Sequence, residues 1–263
     1  METIQLKDQM GRDVLLAQPV SRIVSLNPSQ TETLVDLGLE DNIMGVTKFC
    51  VHPSHLRKSK TVVGGTKKVD FDKIRRLNPD IILCNKEENT QEIVETLEKE
   101  YPVHVTDVSN LQDALEMLQQ YGKLFNCAVN AEGICAKISS EKAQFDSFIQ
   151  KQPIKRAAYF IWKDPWMVTG GYTFINEMLS LNKFENVFGH QDRYPTISLK
   201  ELSDLSLDLI LLSSEPFPFK KTHQEELEQQ LGIEVKLVDG EYFSWYGSRL
   251  LGAFQYFRSL HGY

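Results

Sequence analysis

At 263 residues, about two-fifths of them apolar and a quarter charged, the chain has room for two domains of ordinary size and the make-up of a soluble globular protein. A net charge of −7 argues against nucleic acid or an anionic membrane surface as the main partner. No apolar run approaches the length needed to cross a bilayer.

The first eight residues carry no basic start, no apolar core and no small-residue cleavage site. Two expectations therefore stand together: an export signal already removed, or a protein that stays in the cytoplasm. Residues 22–26 read as a short apolar strand, broken by Asn27-Pro28-Ser29, and residues 31–37 as a helix stopped by Gly38. Strand-like segments follow at 43–46 and 60–63, then a helix at 71–77 and a buried-type strand at 81–84. An amphipathic stretch at 91–100 leads into a strand at 103–105.

The second half repeats the pattern. A strand at 157–161 is followed by a turn bearing Gly170-Gly171, helices at 173–181 and 199–205, and buried-type strands at 209–212 and 235–238. Strands alternating with helices imply parallel sheet with crossover connections. Residues 72–83 and 200–211 align without a gap: Leu77, Asp80, Ile82 and Leu83 meet Leu205, Asp208, Ile210 and Leu211. The order of elements repeats as well, which favours two similar α/β lobes. Between them, residues 111–150 lack proline and are rich in helix formers. A helix from about 129 to 150 would run roughly 30 Å. The expected organisation is a first lobe over 1–127, a connecting helix over 128–151 and a second lobe over 152–263.

In open α/β sheets ligands sit beyond the carboxyl ends of the strands. The loops expected there are rich in aromatics: Phe49, Trp162, Trp166, Tyr172, Tyr194, Phe217, Phe219, Tyr242, Phe243, Trp245 and Tyr246. Aromatics with a polar handle line recognition surfaces, although several are expected to cap the sheets as core. Signatures of catalysis are weak. There is no GxSxG, P-loop, GxGxxG or HExxH, and Gly64-Gly65 and Gly170-Gly171 read as turn glycines. Asp239 and Glu241 could form a carboxylate pair but have no nucleophile or second base near them in sequence. His52 and His55 flank Pro53 without a third metal ligand, and His104, His190, His223 and His261 read as surface or strand-end residues. The four scattered cysteines, Cys50, Cys84, Cys127 and Cys135, are expected as unbridged thiols. No catalytic residue, resident cofactor or direct metal site is expected.

Several segments resemble a known family over nearly the whole chain. The run from Arg22 through Ser25-Leu26-Asn27-Pro28-Ser29-Gln30-Thr31-Glu32 is similar to the first strand-loop-helix of the periplasmic binding proteins that serve cobalamin and ferric-siderophore importers. Leu37-Gly38-Leu39, Gly45-Val46-Thr47, Asn78-Pro79-Asp80-Ile81-Ile82 and Asp164-Pro165 fit it. So does the stretch from Asp239-Gly240-Glu241 to Trp245-Tyr246-Gly247-Ser248-Arg249, which with Phe49-Cys50-Val51-His52-Pro53 points to the cobalamin-binding branch. The resemblance implies two Rossmann-like lobes with parallel-rich sheets joined by one long backbone helix. It also implies capture of a bulky metal chelate between the lobes, without catalysis, and delivery to an ABC-transporter permease dimer by a monomeric receptor in the periplasm.

Carried onto this chain, the resemblance places Phe49, Tyr194, Met167 and Glu241 on residues that line the ligand cleft. Thr66 and Asn85 stand where the cobalamin branch has tryptophans, so a different corrinoid, a siderophore or something smaller is also compatible. Trp162, Trp166, Tyr172, Trp245 and Arg249 complete the expected set, with Arg249 read either as a contact for an anionic ligand group or as a structural ion-pair partner. Permease docking falls to Asp72 in the first lobe and, because Lys200 holds the matching position, to Glu201 in the second. The alternatives are a cytoplasmic binding or sensing protein of the same fold and an enzyme on a two-lobed α/β scaffold.

Overall fold

A computed structural model describes residues 2–202 and 204–262. The chain divides into two compact units: one built from 1–108, 112–138 and 246–251, the other from 109–111, 139–245 and 252–263. Each holds one five-stranded sheet. The fold class expected from the alternating pattern is the one observed.

The first unit opens with a hairpin of β1 (Thr3–Lys7) and β2 (Asp13–Ala17), paired antiparallel. The sequence reading assigned no strand here. Leu6 to Asp13 carries the turn, in which the buried Asp8 carboxylate accepts from the backbone N–H groups of Met10 and Arg12. The same carboxylate accepts from Val105 N, tying the hairpin to the sheet. That sheet is all parallel, in the order β5 (Thr61–Val62), β4 (Ile43–Val46), β3 (Ile23–Ser25), β6 (Ile81–Asn85), β7 (Val103–Thr106). Its core is an aliphatic cluster of Val24, Leu26, Val63, Ile74, Ile82, Ile93, Leu97, Val103 and Val105. Strands buried on both faces read as continuous apolar runs, which is why they were legible.

In the second unit, β8 (Lys155–Trp162) is central. It is flanked on one side by β11 (Leu209–Ser213) and then β12 (Glu234–Val238), all parallel. The other edge of β8 is shared: β10 (Phe184–Asn186) pairs parallel with its first residues, and β9 (Met167–Val168) pairs antiparallel near its carboxyl end.

The helix Ala128–Ile149 passes from the first unit to the second. Ile138 belongs to the first, and Phe145 packs among Phe148, Phe254 and Phe257 of the second.

Boundaries moved where capping chemistry decides them. The first helix spans Pro28–Asp36, three residues earlier than expected, because Asn27 caps it by accepting from Gln30 N and Pro28 sits in the first turn. The helix expected over 91–100 ends at Leu97, and of the one expected over 199–205 the stretch Leu199–Leu202 is described. Ser203, inside the second of these, lies outside the described residues. His104 corrects its reading as a surface or strand-end residue: it is a buried strand residue whose Nε2 bonds the Gln120 side chain at 2.7 Å, and burial lowers its pKa.

Candidate ligand-binding site

In each sheet the winding direction reverses once, between β3 and β6 and between β8 and β11. Loops beyond the carboxyl ends at such reversals are where doubly wound sheets hold ligands.

In the first unit those loops are stitched by buried amides. Asn89 Oδ1 accepts from Asn85 N at 2.8 Å, while Asn89 Nδ2 donates to the carbonyls of Leu26 and Thr66. Asn85 Oδ1 accepts from the N–H groups of Glu87 and Glu88, and its Nδ2 donates to Thr106 Oγ1. Gln30 Nε2 donates to Thr106 Oγ1 at 2.6 Å. Asn85 and Thr66 are therefore buried supports of the loop platform, 3% and 7% exposed. Burial raises the Glu88 carboxyl against the opposing pull of Lys67. Beside this platform Phe49 is exposed, with the Lys48 ammonium 4.9 Å from its ring centre.

In the second unit β9 continues into a ribbon that pairs with residues 191–197. Val168 N donates to Pro195 O, Ile197 N to Trp166 O, and Gly170 N to Arg193 O. Met167 and Thr196 form an antiparallel bridge. Side chains alternate across such a ribbon. Trp166, Val168 and Ile197 pack on the core, leaving Met167 on the opposite face with Thr196. Trp166 stacks on Phe219, and Lys163 Nζ lies 5.1 Å from the Trp166 ring centre. The exposed Trp162 meets Phe217 edge-on. One ribbon thus gathers Trp166, Met167, Tyr172 and Tyr194, drawn from two separated stretches of sequence.

The loop after β12 carries Glu241, half-buried, with its N–H donating to Asp239 Oδ1. Trp245 is only 7% exposed, and its indole N–H donates to Glu215 Oε1 at 2.8 Å. Ser244 Oγ donates to the same carboxylate oxygen. Of the eleven loop aromatics, Phe219, Phe243, Trp245 and Tyr246 are buried, while Phe49, Trp162 and Tyr172 are exposed. Arg249 stands apart: its guanidinium pairs with Glu32, Nη2 to Oε1 at 2.8 Å and Nε to Oε2 at 2.9 Å. The ion-pair alternative is the one the structure displays.

For docking, Asp72 is exposed and pairs with Arg75 one helical turn on. Glu201 caps its own helix, its carboxylate accepting from Ser198 N and Oγ. Among the described residues no group of three or more His, Cys, Asp or Glu side chains is placed to hold a metal ion, and the four thiols are unbridged.

Sequence reasoning passed over the residues that hold these loops: Gln30, Glu32, Asn89, Thr106 and Glu215. The one available signal was position, since Glu215 and Asn89 stand in the loops that follow buried strands ending at Ser213 and Asn85. Their partners lie up to 217 residues away, as between Glu32 and Arg249, and no spacing encodes that.

Residues 23–233 match the family profile described as periplasmic binding protein. An uncharacterised ABC transporter substrate-binding lipoprotein, YvrC, of Bacillus subtilis is 24% identical over 217 residues, which is 79% of this chain and 68% of that protein. A vitamin B12-binding protein of Vibrio vulnificus is 27% identical over 194 residues, 72% of this chain and 69% of its own. Among solved structures, the periplasmic vitamin B12-binding protein BtuF of Vibrio cholerae superposes with a TM-score of 0.79 at 17% identity. That match covers 93% of this chain and 99% of BtuF, a likeness of fold.

Proposed function

The chain belongs to the periplasmic binding protein family, and from that premise we propose that it is the substrate-binding component of an ABC importer. It binds a corrinoid or a ferric chelate reversibly, without turnover, and hands it to a permease outside the cytoplasmic membrane. The observation that carries this reading is the set of exposed aromatics: Phe49 on the loop past the carboxyl end of β4, Trp162 as the last residue of β8, and Tyr172 on the ribbon that follows β9. Rigid aromatic rings supply contact area at small entropic cost. Met167, Tyr194 and Glu241, none of them buried, are assigned to ligand contact as well. Asp72, whose carboxylate is 76% exposed, and Glu201 are assigned to permease docking.

Calorimetric titration of the purified protein with cobalamin, cobinamide, haem and a set of ferric siderophores tests the proposal. Micromolar or tighter one-to-one binding of one chelate class supports it. Absence of binding across the set removes it.

A further inference from the structure

Seven non-glycine residues have positive φ among the described residues. Four of them, Asn78, Asn126, Lys183 and Ser206, lie within a few residues past helix ends, where left-handed backbone is routine. The other three lie around β9: Asp164 (φ 64°) in the turn that leads into it, Tyr172 (φ 56°) and Arg193 (φ 52°) in the ribbon beyond it. A bulky aromatic in this region is uncommon and strained, and such strain persists only where the surroundings over-determine the backbone.

The surroundings of Tyr172 do so. Gly170 N donates to Arg193 O at 2.6 Å, Gly171 N to Gln191 O at 2.7 Å, and Arg193 N returns to Gly171 O at 3.1 Å. A Cβ on Gly170 would stand 2.4 Å from Gln191 O, and one on Gly171 2.4 Å from Gly189 O, so neither position accepts a side chain without displacing backbone. On the other side Thr173 caps the helix Phe174–Leu181, its Oγ1 accepting from Asn176 N at 3.1 Å. Tyr172 is thus held between two fixed neighbours in a conformation that suits glycine or asparagine. Its side chain gains nothing from the fold: it is 78% exposed, and neither ring nor hydroxyl has a hydrogen-bond or ring partner among the described residues.

We propose that Tyr172 is a specificity-determining residue, its side chain projected by this backbone as a stacking surface for a ligand with a flat, unsaturated macrocycle. The inference rests on the reading of the chain as a chelate receptor. Among the described residues the exposed aromatics are Phe49, Trp162 and Tyr172, and Tyr172 exposes the largest fraction of its surface. Offset stacking on a conjugated ring system uses such a face, whereas a compact octahedral chelate wrapped in aliphatic arms offers no matching plane. Fixing the backbone at Tyr172 before binding removes the cost of ordering that segment.

The test uses the whole chain and its Y172F, Y172A and Y172G variants, titrated with haemin, dicyanocobinamide and ferrioxamine B, with a thermal unfolding curve for each variant. The expected result is binding of a macrocycle that Y172A and Y172G weaken about tenfold or more and Y172F by less than about twofold. Y172G should unfold at or above the parent temperature, because it relieves strain without losing a contact; a residue with a merely structural role would not separate affinity from stability in this way. Macrocycle affinity within about twofold of the parent in both Y172A and Y172G overturns the proposal. So does binding of ferrioxamine B alone, which leaves the receptor reading standing. Binding of none of the chelates overturns both.

Discussion

Arg249 holds Glu32 through two nitrogens, Nη2 to Oε1 at 2.8 Å and Nε to Oε2 at 2.9 Å, with both side chains less than one-fifth exposed. The pair fastens the short segment 246–251 to the helix Pro28–Asp36 inside the first unit. Burial raises the Glu32 carboxyl while Arg249 pulls it back. Removing the arginine alone leaves a poorly solvated carboxylate, so R249M should cost about 3 kcal/mol at neutral pH. A carboxyl whose folded-state pKa is raised contributes stability below its unfolded pKa and loses it as pH rises through the folded one. The R249M defect should therefore shrink on acidification, and E32M/R249M should recover part of it. Denaturant unfolding at two pH values checks this.

Trp245 presents a different case. Its indole N–H donates to Glu215 at 2.8 Å and its ring is 7% exposed. W245F keeps an aromatic ring but drops a hydrogen bond to a charged acceptor, and should destabilise the protein by about 2 kcal/mol. Unfolding midpoints at constant m-value report the change.

Gly247 has φ +84°, and a Cβ there would fall 2.1 Å from Thr33 Oγ1. Backbone strain and overlap combine, so G247A should cost roughly 3 kcal/mol. G262A is the control, since Gly262 also has positive φ but has nothing within 4 Å of the added carbon. Its cost should be confined to the backbone, about 1 kcal/mol.

The internal repeat reaches beyond the aligned helix and strand. Asp80 accepts from the backbone N–H groups of Ser21 and Arg22, and the Arg22 guanidinium donates to the carbonyls of Leu77 and Asn78. In the second unit Asp208 accepts from Arg156 N, and the Arg156 guanidinium donates to the carbonyls of Leu205 and Ser206. Asn78 and Ser206 both take left-handed backbone, φ 43° and 42°. D80N and D208N should each cost about 1 kcal/mol, and the two costs should add. This is the part of the fold most legible in the sequence, since Asp80 and Asp208 aligned without a gap. The apolar runs at Ile81 and Leu209 were readable because strands covered on both faces have no polar alternation. The β1–β2 hairpin was not: its strands are short and half-exposed, and the side chains that tie it down, Asp8, Gln9, Arg12 and Gln18, have partners 91 to 106 residues on. The candidate site was legible as a list of aromatics. Which ones are exposed depends on alternation in the ribbon around Met167 and on acceptors such as Glu215, and neither shows in spacing.

His261 offers a pH signature. It packs against Phe148 and Phe184, and burial lowers its pKa to about 4, helped by Lys236 and Lys155. A depressed folded-state pKa contributes stability above the unfolded value and loses it as pH falls through the folded one. The wild type should lose stability between about pH 6.5 and 4 through this group. H261F should flatten that part of the curve, as read from thermal midpoints across the range.

The proposed receptor binds a chelate and returns it unchanged. Equilibrium dialysis of the whole chain against a bound chelate, followed by unfolding of the protein and mass analysis of the released ligand, is the decisive experiment. One chelate per chain, recovered intact with its metal, is the expected result. A chelate returned chemically altered, or retention no greater than that of a control protein, would contradict it.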